Sequence, residues 1–363
     1  MPDIILANEK RRGAAILKKL NGKNALFLCT IGVTETAKIN GISAAGENPQ
    51  ITDYTPPADV ELLQLGKCKC ISGVPITPDG IPTPALITMS ALKLADTPSL
   101  VVSAGLKIEP QVPFVELGGK PGRDIRSGRA LEKAEEVINN AKSLGENLSK
   151  TAEYLVIGES IPGGTTTALS VLLAMGVDAM GKVSSSMPNN PHKLKIKTAQ
   201  EGIKAAGAKI GDFENDPLKA VSSVGDPIQP AIAGLVLGAA EKVPVIMAGG
   251  TQMAAVLAVV NVLNPQVLKN LVIGTTRWII HDETADLKGL VIQIANVPII
   301  AADLDFSKSG LKGLMAYEKG IVKEGVGCGG ASIAAILKSK GTITKDVLLR
   351  EIENNYKKIV KTI

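Results

Sequence analysis

The chain has 363 residues, 45% hydrophobic and 21% charged, a globular composition long enough to bury a large core. Aromatics are only 2%, so the core is aliphatic and stacking partners for nucleic-acid bases are scarce. The net charge of +5 is mild and no block of five or more Lys or Arg occurs, which argues against nucleic acid as a partner.

The chain starts Met1-Pro2-Asp3, and a short apolar run precedes Lys10-Arg11-Arg12, the reverse of the order in a secretory signal. Residues 3–20 read as a helix and 25–31 as a first strand. Pro49, Pro56 and Pro57, then Pro75, Pro78, Pro82 and Pro84, mark two irregular stretches, with a short element at 60–65 between them. Residues 83–94 read as a helix with proline near its start, and 99–103 as a strand. A polar glycine-rich loop at 116–126 leads to an amphipathic helix at 131–148.

Residues 154–157, Tyr-Leu-Val-Ile, read as a buried strand. Gly158-Glu159-Ser160-Ile161-Pro162-Gly163-Gly164-Thr165-Thr166-Thr167-Ala168 follows, and then a buried helix from Leu169 to Met175. Strand, glycine loop and helix together can hold an anion, on backbone N–H groups and the positive helix end. Gly158, Gly163 and Thr165 fit G-x-x-x-x-G-K-[ST], but Gly164 stands where the lysine that reaches the β- and γ-phosphates belongs. A monophosphate therefore fits better than a triphosphate; a tight turn without a ligand is the other reading. Glu159 beside such a nest suits a cationic sugar or a proton.

A polar connection, 182–197, leads into a basic helix start at Lys193, Lys195 and Lys197. Beyond Gly225-Asp226-Pro227 the pattern alternates: helix 231–240, strand 243–247, helix 252–263, strand 271–274, and at least one more strand within 289–300. The uncharged stretch 243–263 contains Pro244, Gly249, Gly250, Gln252 and Asn261, so it reads as strand, turn and helix rather than a membrane span. Helices follow at 311–317, 331–337 and 345–360. The expected fold is α/β, a mostly parallel sheet flanked by helices, Rossmann-like and doubly wound. The expected division is a core domain over 23–303 with the donor site, and a small helical subdomain of 1–22 plus 304–363. Gly158, Gly249 and Gly274 fall at carboxyl ends of strands, where such sheets bind ligands.

Of the four cysteines, Cys68 and Cys70 are too close for a usual zinc pair, and reduced thiols of a cytoplasmic protein are expected. His281-Asp282-Glu283 reads as a solvated loop. No metal and no cofactor are expected.

The second glycine cluster is Lys323-Glu324-Gly325-Val326-Gly327-Cys328-Gly329-Gly330-Ala331. Gly325, Gly327 and Gly330 formally match G-x-G-x-x-G, which makes an NAD-dependent oxidoreductase an alternative. That motif should follow a strand, and here the charged segment 318–323 precedes it. A glutamate fixed among glycines, Glu324, suits a general base.

Taken together, the loops resemble those of the nicotinate-nucleotide–dimethylbenzimidazole phosphoribosyltransferases (the CobT family), in a divergent, archaeal-type branch. Gly158-Glu159 through Gly164-Thr165-Thr166 is similar to that family's G-E-x-G-I-G-N-T-T loop, and Glu324 to Ala331 to its E-G-T-G-A-A-L loop. Residues 231–260 resemble its helix–Val-Pro-Val–strand segment. The resemblance covers about residues 80–340 and implies transfer of phosphoribose from nicotinate mononucleotide to a benzimidazole- or purine-like base, in cobamide lower-ligand assembly. It implies Glu324 as general base and Glu159 as support for the sugar. It implies Gly158, Gly163, Gly164, Thr165, Thr166, Gly325 and Gly327 at the substrate, and Lys197, with Lys195 second, at the phosphate. It also implies a homodimer. Ser184-Ser185-Ser186-Met187 and Ala248-Gly249-Gly250-Thr251 depart from the family's G-x-G-T-G and D-G-F loops, and Pro162 intrudes, which leaves the acceptor open. A non-catalytic nucleotide-binding protein is the remaining alternative.

Overall fold

The computed structural model describes residues 2–45, 49–76 and 80–360; Pro78, one of the expected breakers, lies outside them. The first half of the chain comprises β1 (Ile4–Asn8), α1 (Lys10–Leu20), β2 (Ala25–Gly32), α2 (Thr55–Leu65), α3 (Ala85–Leu94), β3 (Ser99–Gly105), β4 (Val115–Glu116), α4 (Ala134–Leu148), β5 (Tyr154–Ser160) and α5 (Gly164–Ala174). Next come α6 (His192–Ala205), α7 (Pro217–Val224), α8 (Ile228–Ala239), β6 (Val245–Ala248), α9 (Gln252–Leu263) and β7 (Leu271–Thr276). The chain closes with α10 (Arg277–Ile280), α11 (Leu287–Ile294), β8 (Ile299–Ala302), α12 (Lys312–Met315), α13 (Cys328–Lys338) and α14 (Lys345–Val360).

The strands form one eight-stranded sheet in the order β1-β8-β7-β6-β5-β2-β3-β4. Every neighbouring pair is parallel except β1 with β8. All seven residues of β5 are buried, as a parallel strand covered on both faces requires. Residues of α4, α5, α7, α8, α9 and α11 build the aliphatic core on one face, and those of α1, α2, α3, α13 and α14 the core on the other. This is the doubly wound α/β architecture the alternation predicts. Chain progression reverses between β2 and β5, so the crevice for ligands opens there, beyond the carboxyl ends of the strands. Register pairs Thr30 with Glu159 and Ile31 with Ser160 at that point. Close helix crossing tightens the first face: a Cβ on Gly145 would lie 2.4 Å from the Leu235 carbonyl oxygen, and one on Gly238 would lie 2.1 Å from that of Lys142.

Three expected elements differ. Residues 3–20 split into β1 and α1 because Glu9 takes a left-handed turn (φ 44°) that lets the apolar Ile4–Leu6 run pair with β8 at the sheet edge. Residues 289–300 hold a helix before the strand, since the Asp286 carboxylate accepts the Gly289 N–H at 2.7 Å and Leu287, Leu290 and Val291 share a buried side. Residues 311–317 shrink to the four-residue α12 and a turn at Tyr317–Lys319. Within the described parts of the terminal segments, β1 is the edge strand of the sheet and α13 packs against β5 to β8. No described helix is long and apolar enough to cross a membrane.

Candidate active site

Two glycine loops meet over the carboxyl ends of β5, β6 and β7. The first leads from β5 into α5. Gly163 is left-handed (φ 79°), and a side chain there would press on Ala37. The first turn of α5 carries no acidic residue of its own and no side-chain cap; the carboxyl that reaches it is that of Asp226, on Thr167 Oγ1. A side chain at 164 would have to displace its neighbours: a Cβ on Gly164 would lie 1.9 Å from Gln252 Nε2 and 2.8 Å from Ile161 Cγ2.

Lys195, from the first turn of α6, brings a cationic side chain to this helix end. It is fully buried, and its Nζ donates to Thr165 Oγ1 at 2.9 Å and the Ser184 carbonyl at 2.6 Å, both neutral acceptors. Burial, followed by the neighbouring Lys323 ammonium, pulls its pKa down to about 7, with Asp282 acting in the opposite direction. Lys323 itself pairs with Asp282 Oδ2 at 2.9 Å, the two side chains 5% and 4% exposed. Ser184 Oγ donates to the same oxygen at 2.8 Å, and Thr284 N–H and Oγ1 engage Oδ1. Burial would raise the Asp282 pKa, but Lys323, Thr284 and Ser184 outweigh it and hold the carboxyl below its usual value. Two buried ammonium groups therefore share one carboxylate beside a helix N-terminus. A buried charge of this kind favours an added anion.

The second loop, 321–327, enters α13. Its segment before Gly325 contains no strand, so the dinucleotide signature lacks the βα context it needs. Val322, Lys323 and Val326 are all left-handed (φ 72°, 62° and 52°). Such conformations cost roughly 1–3 kcal/mol each and persist only where the surroundings impose them. Here Val322 N–H donates to the Ser186 carbonyl (3.0 Å) and Val326 N–H to the Glu159 carbonyl (2.9 Å). Thr276 Oγ1 donates to the Lys323 carbonyl (2.7 Å) and Thr88 Oγ1 to that of Val326 (2.9 Å). Glu324 Oε1 accepts from Gly325 N–H, Gly329 N–H and Cys328 Sγ, each at 3.2 Å, and Oε2 lies 3.4 Å from Thr275 Oγ1. Burial outweighs these bonds and lifts the Glu324 pKa to about 7. A carboxyl poised there can take a proton near neutrality.

Glu159 is buried at the end of β5. Burial, then Asp226, Glu324 and Asp59, drive its pKa well upward, with the Ile161 N–H a partial offset. Asp226 is fully buried at the head of α8, accepts from Thr167 Oγ1 and Ile228 N–H, and is pushed up to about 7 by burial. Asp59 accepts from Thr83 Oγ1 and Ser160 Oγ, both at 2.7 Å, and burial raises it to about 6.

The loops thus bring together Glu159, Gly163, Gly164, Thr165, Glu324 and Gly325. Gly158 and Gly327 lie back to back: a Cβ on Gly158 would sit 2.8 Å from Gly327 Cα, so these two glycines let β5 and the α13 head touch. Thr166 is fully buried within α5, with no partner for its hydroxyl among the described residues. Lys197 is not brought in. Its side chain is 74% exposed and 3.9 Å from Glu201, because residues two apart on a helix point different ways. Sequence reasoning missed Lys323, Asp282, Asp226 and Asp59. Asp282 stood in a segment read as solvated loop, yet its carboxylate is buried.

Comparison with known proteins gives a consistent result. The family model described as "Phosphoribosyltransferase" matches residues 92–278, more than half of the chain. The UPF0284 protein of Sulfurisphaera tokodaii is 45% identical over 340 residues, 93% of this chain and 95% of its own. That of Sulfolobus acidocaldarius is 45% identical over 350 residues, 95% of this chain and 99% of its own. Among solved structures, the nicotinate-nucleotide–dimethylbenzimidazole phosphoribosyltransferase of Thermus thermophilus shares the fold, with TM-score 0.60 at 15% identity, covering 96% of this chain and 92% of that one. The matched stretch carries the first glycine loop, Lys195 and Asp226, and with it this chain belongs to the phosphoribosyltransferase family, together with the archaeal UPF0284 proteins.

Proposed function

We propose that the protein moves phosphoribose from nicotinate mononucleotide to a benzimidazole- or purine-like base, giving an α-ribosyl phosphate and nicotinate. The observation that carries this reading is the buried Lys195 ammonium, bonded only to neutral acceptors at the head of α5, with Glu324 held over the same strand ends. The donor phosphate lies against Lys195, Thr165 and the first turn of α5. The C1′–N bond of the pyridinium breaks, and its electron pair neutralises the departing nicotinate nitrogen. The acceptor nitrogen forms the new bond to C1′, and the acceptor ring proton goes to the Glu324 carboxylate. Burial favours the neutral form of Glu159 until a cationic donor arrives; that charge favours the ionised form, which then stabilises the oxocarbenium character at C1′. A homodimer belongs to this reading on the family resemblance.

Release of nicotinate from the mononucleotide, assayed against a panel of benzimidazoles and purines, tests the proposal. Base-dependent release supports it. Tight binding of the mononucleotide without release for any base would point to a non-catalytic binder instead.

A further inference from the structure

Lys323 stands immediately before Glu324, inside the most strained backbone of the chain's second loop. Its ammonium is tied to Asp282, whose Oδ2 also takes the Ser184 hydroxyl. The Ser184 carbonyl in turn accepts from Lys195. The backbone repeats this connection, since Val322 N–H donates to the Ser186 carbonyl. The segment 184–186, which Lys195 bonds, and the segment carrying Glu324 are therefore joined twice, once through side chains and once through main chain. An anion arriving at Lys195 adds negative charge where two ammonium groups share a single carboxylate, and it draws on both.

We propose that the buried Lys323–Asp282 pair transmits occupancy of the anion site at Lys195 to the position of the Glu324 carboxylate, making Lys323 a positioning residue for the general base. This rests on reading the α5 head as the donor-phosphate site. Its chemical consequence is ordered readiness: the base is aligned once a phosphate-bearing donor is seated. Left-handed Val322, Lys323 and Val326 fit such a role, because a loop held in unfavourable conformations by a few bonds has a second arrangement available when those bonds change.

The test uses the full chain and inorganic phosphate as probe. Hydrogen exchange of amides 322–330 is followed with and without phosphate. In wild type, phosphate should slow exchange of this segment by roughly fivefold or more. In K323M/D282N, which removes one charge of each sign and so keeps the net charge around Lys195 unchanged, phosphate still binds at Lys195 but protection of the segment is lost. In turnover the same variant should lose on the order of 10²-fold in kcat, with donor KM within about threefold of wild type. K323R, which can still pair with Asp282, should retain both protection and most of kcat. Equal protection in wild type and K323M/D282N overturns the coupling. So does a variant whose phosphate affinity falls as far as that of K195M while kcat holds, since Lys323 is then simply an anion ligand. Absence of protection in wild type with bound phosphate overturns it without any variant. Phosphate that binds and protects the wild-type loop while no base is ribosylated leaves the coupling standing and sinks the transferase reading. Failure of phosphate to bind wild type sinks both.

Discussion

The heads of α5 and α13 are both glycine-rich turns that feed a buried helix, and both lie over the same strand ends, yet their charges are arranged oppositely. At α13 the protein supplies its own anion: Glu324 accepts the Gly325 and Gly329 amides of the helix start. At α5 the first turn has no acidic residue, and a buried lysine bonds to neutral oxygens beside it. A helix N-terminus already occupied by a carboxylate is suited to moving a proton, whereas one flanked by an ammonium is suited to holding an anion. On the proposed reading, the same local geometry serves as a base at one loop and as a phosphate site at the other.

The strongest way to break this contrast is Glu324→Gln. It should lower turnover by roughly 10²- to 10⁴-fold while calorimetry shows mononucleotide binding intact; normal turnover would remove the base from this loop. Next is Lys195→Met. Loss of a charge-assisted hydrogen bond of about 1.5–3 kcal/mol should weaken the mononucleotide roughly tenfold to a hundredfold, and leave the affinity of the phosphate-free nucleoside unchanged. Equal affinity of wild type for nucleotide and nucleoside would contradict the phosphate assignment.

The pH profile sharpens the comparison further. Glu324 must be ionised to accept a proton, so kcat/KM should rise with pH through about 7; Lys195 must be protonated to hold the phosphate, so it should fall again above about 7. A narrow bell results, and Glu324→Gln should lose the Glu324 share of its acid limb, leaving the part that comes from ionisation of Glu159. Stability carries its own signature. Asp226, raised from 3.8 to about 7 by burial, binds its proton more tightly folded than unfolded. Its contribution is complete below the unfolded pKa and declines as pH rises toward the folded value of about 7. Each step of one pH unit between the two removes at most about 1.4 kcal/mol. Asp226→Asn should flatten the melting temperature across that window. The smallest effect expected is Lys197→Ala, within about 0.5 kcal/mol in both binding and stability, because that side chain lies outside the site.

Much of the architecture was legible because a parallel sheet writes itself as short aliphatic runs between glycine loops; Gln252–Leu263 stands where its pattern predicts, and the expected strand at 154–157 is present but runs on through Ser160, taking in the first three residues read as loop. Ile4–Asn8 was not legible, since an apolar run of that length becomes a strand only by pairing with β8, which lies near the other end of the chain. The two loops were legible as glycine clusters, and Glu324 and Glu159 with them. The charges between the loops were not. Lys195 and Lys197 look alike in sequence, and only the packing of α6 turns one inward. Lys323 and Asp282 lie far apart in sequence, in segments whose composition resembles solvated loop, and nothing short of the fold pairs them.

The central claim, an anion site at α5 facing a base at α13, is tested most directly by the structure of Glu324→Gln with nicotinate mononucleotide bound. The expected result is the phosphate within hydrogen-bonding distance of Lys195 Nζ and Thr165, and C1′ turned toward residues 159 and 324. A phosphate bound at Gly325–Gly330 instead, with Lys195 untouched, would contradict it.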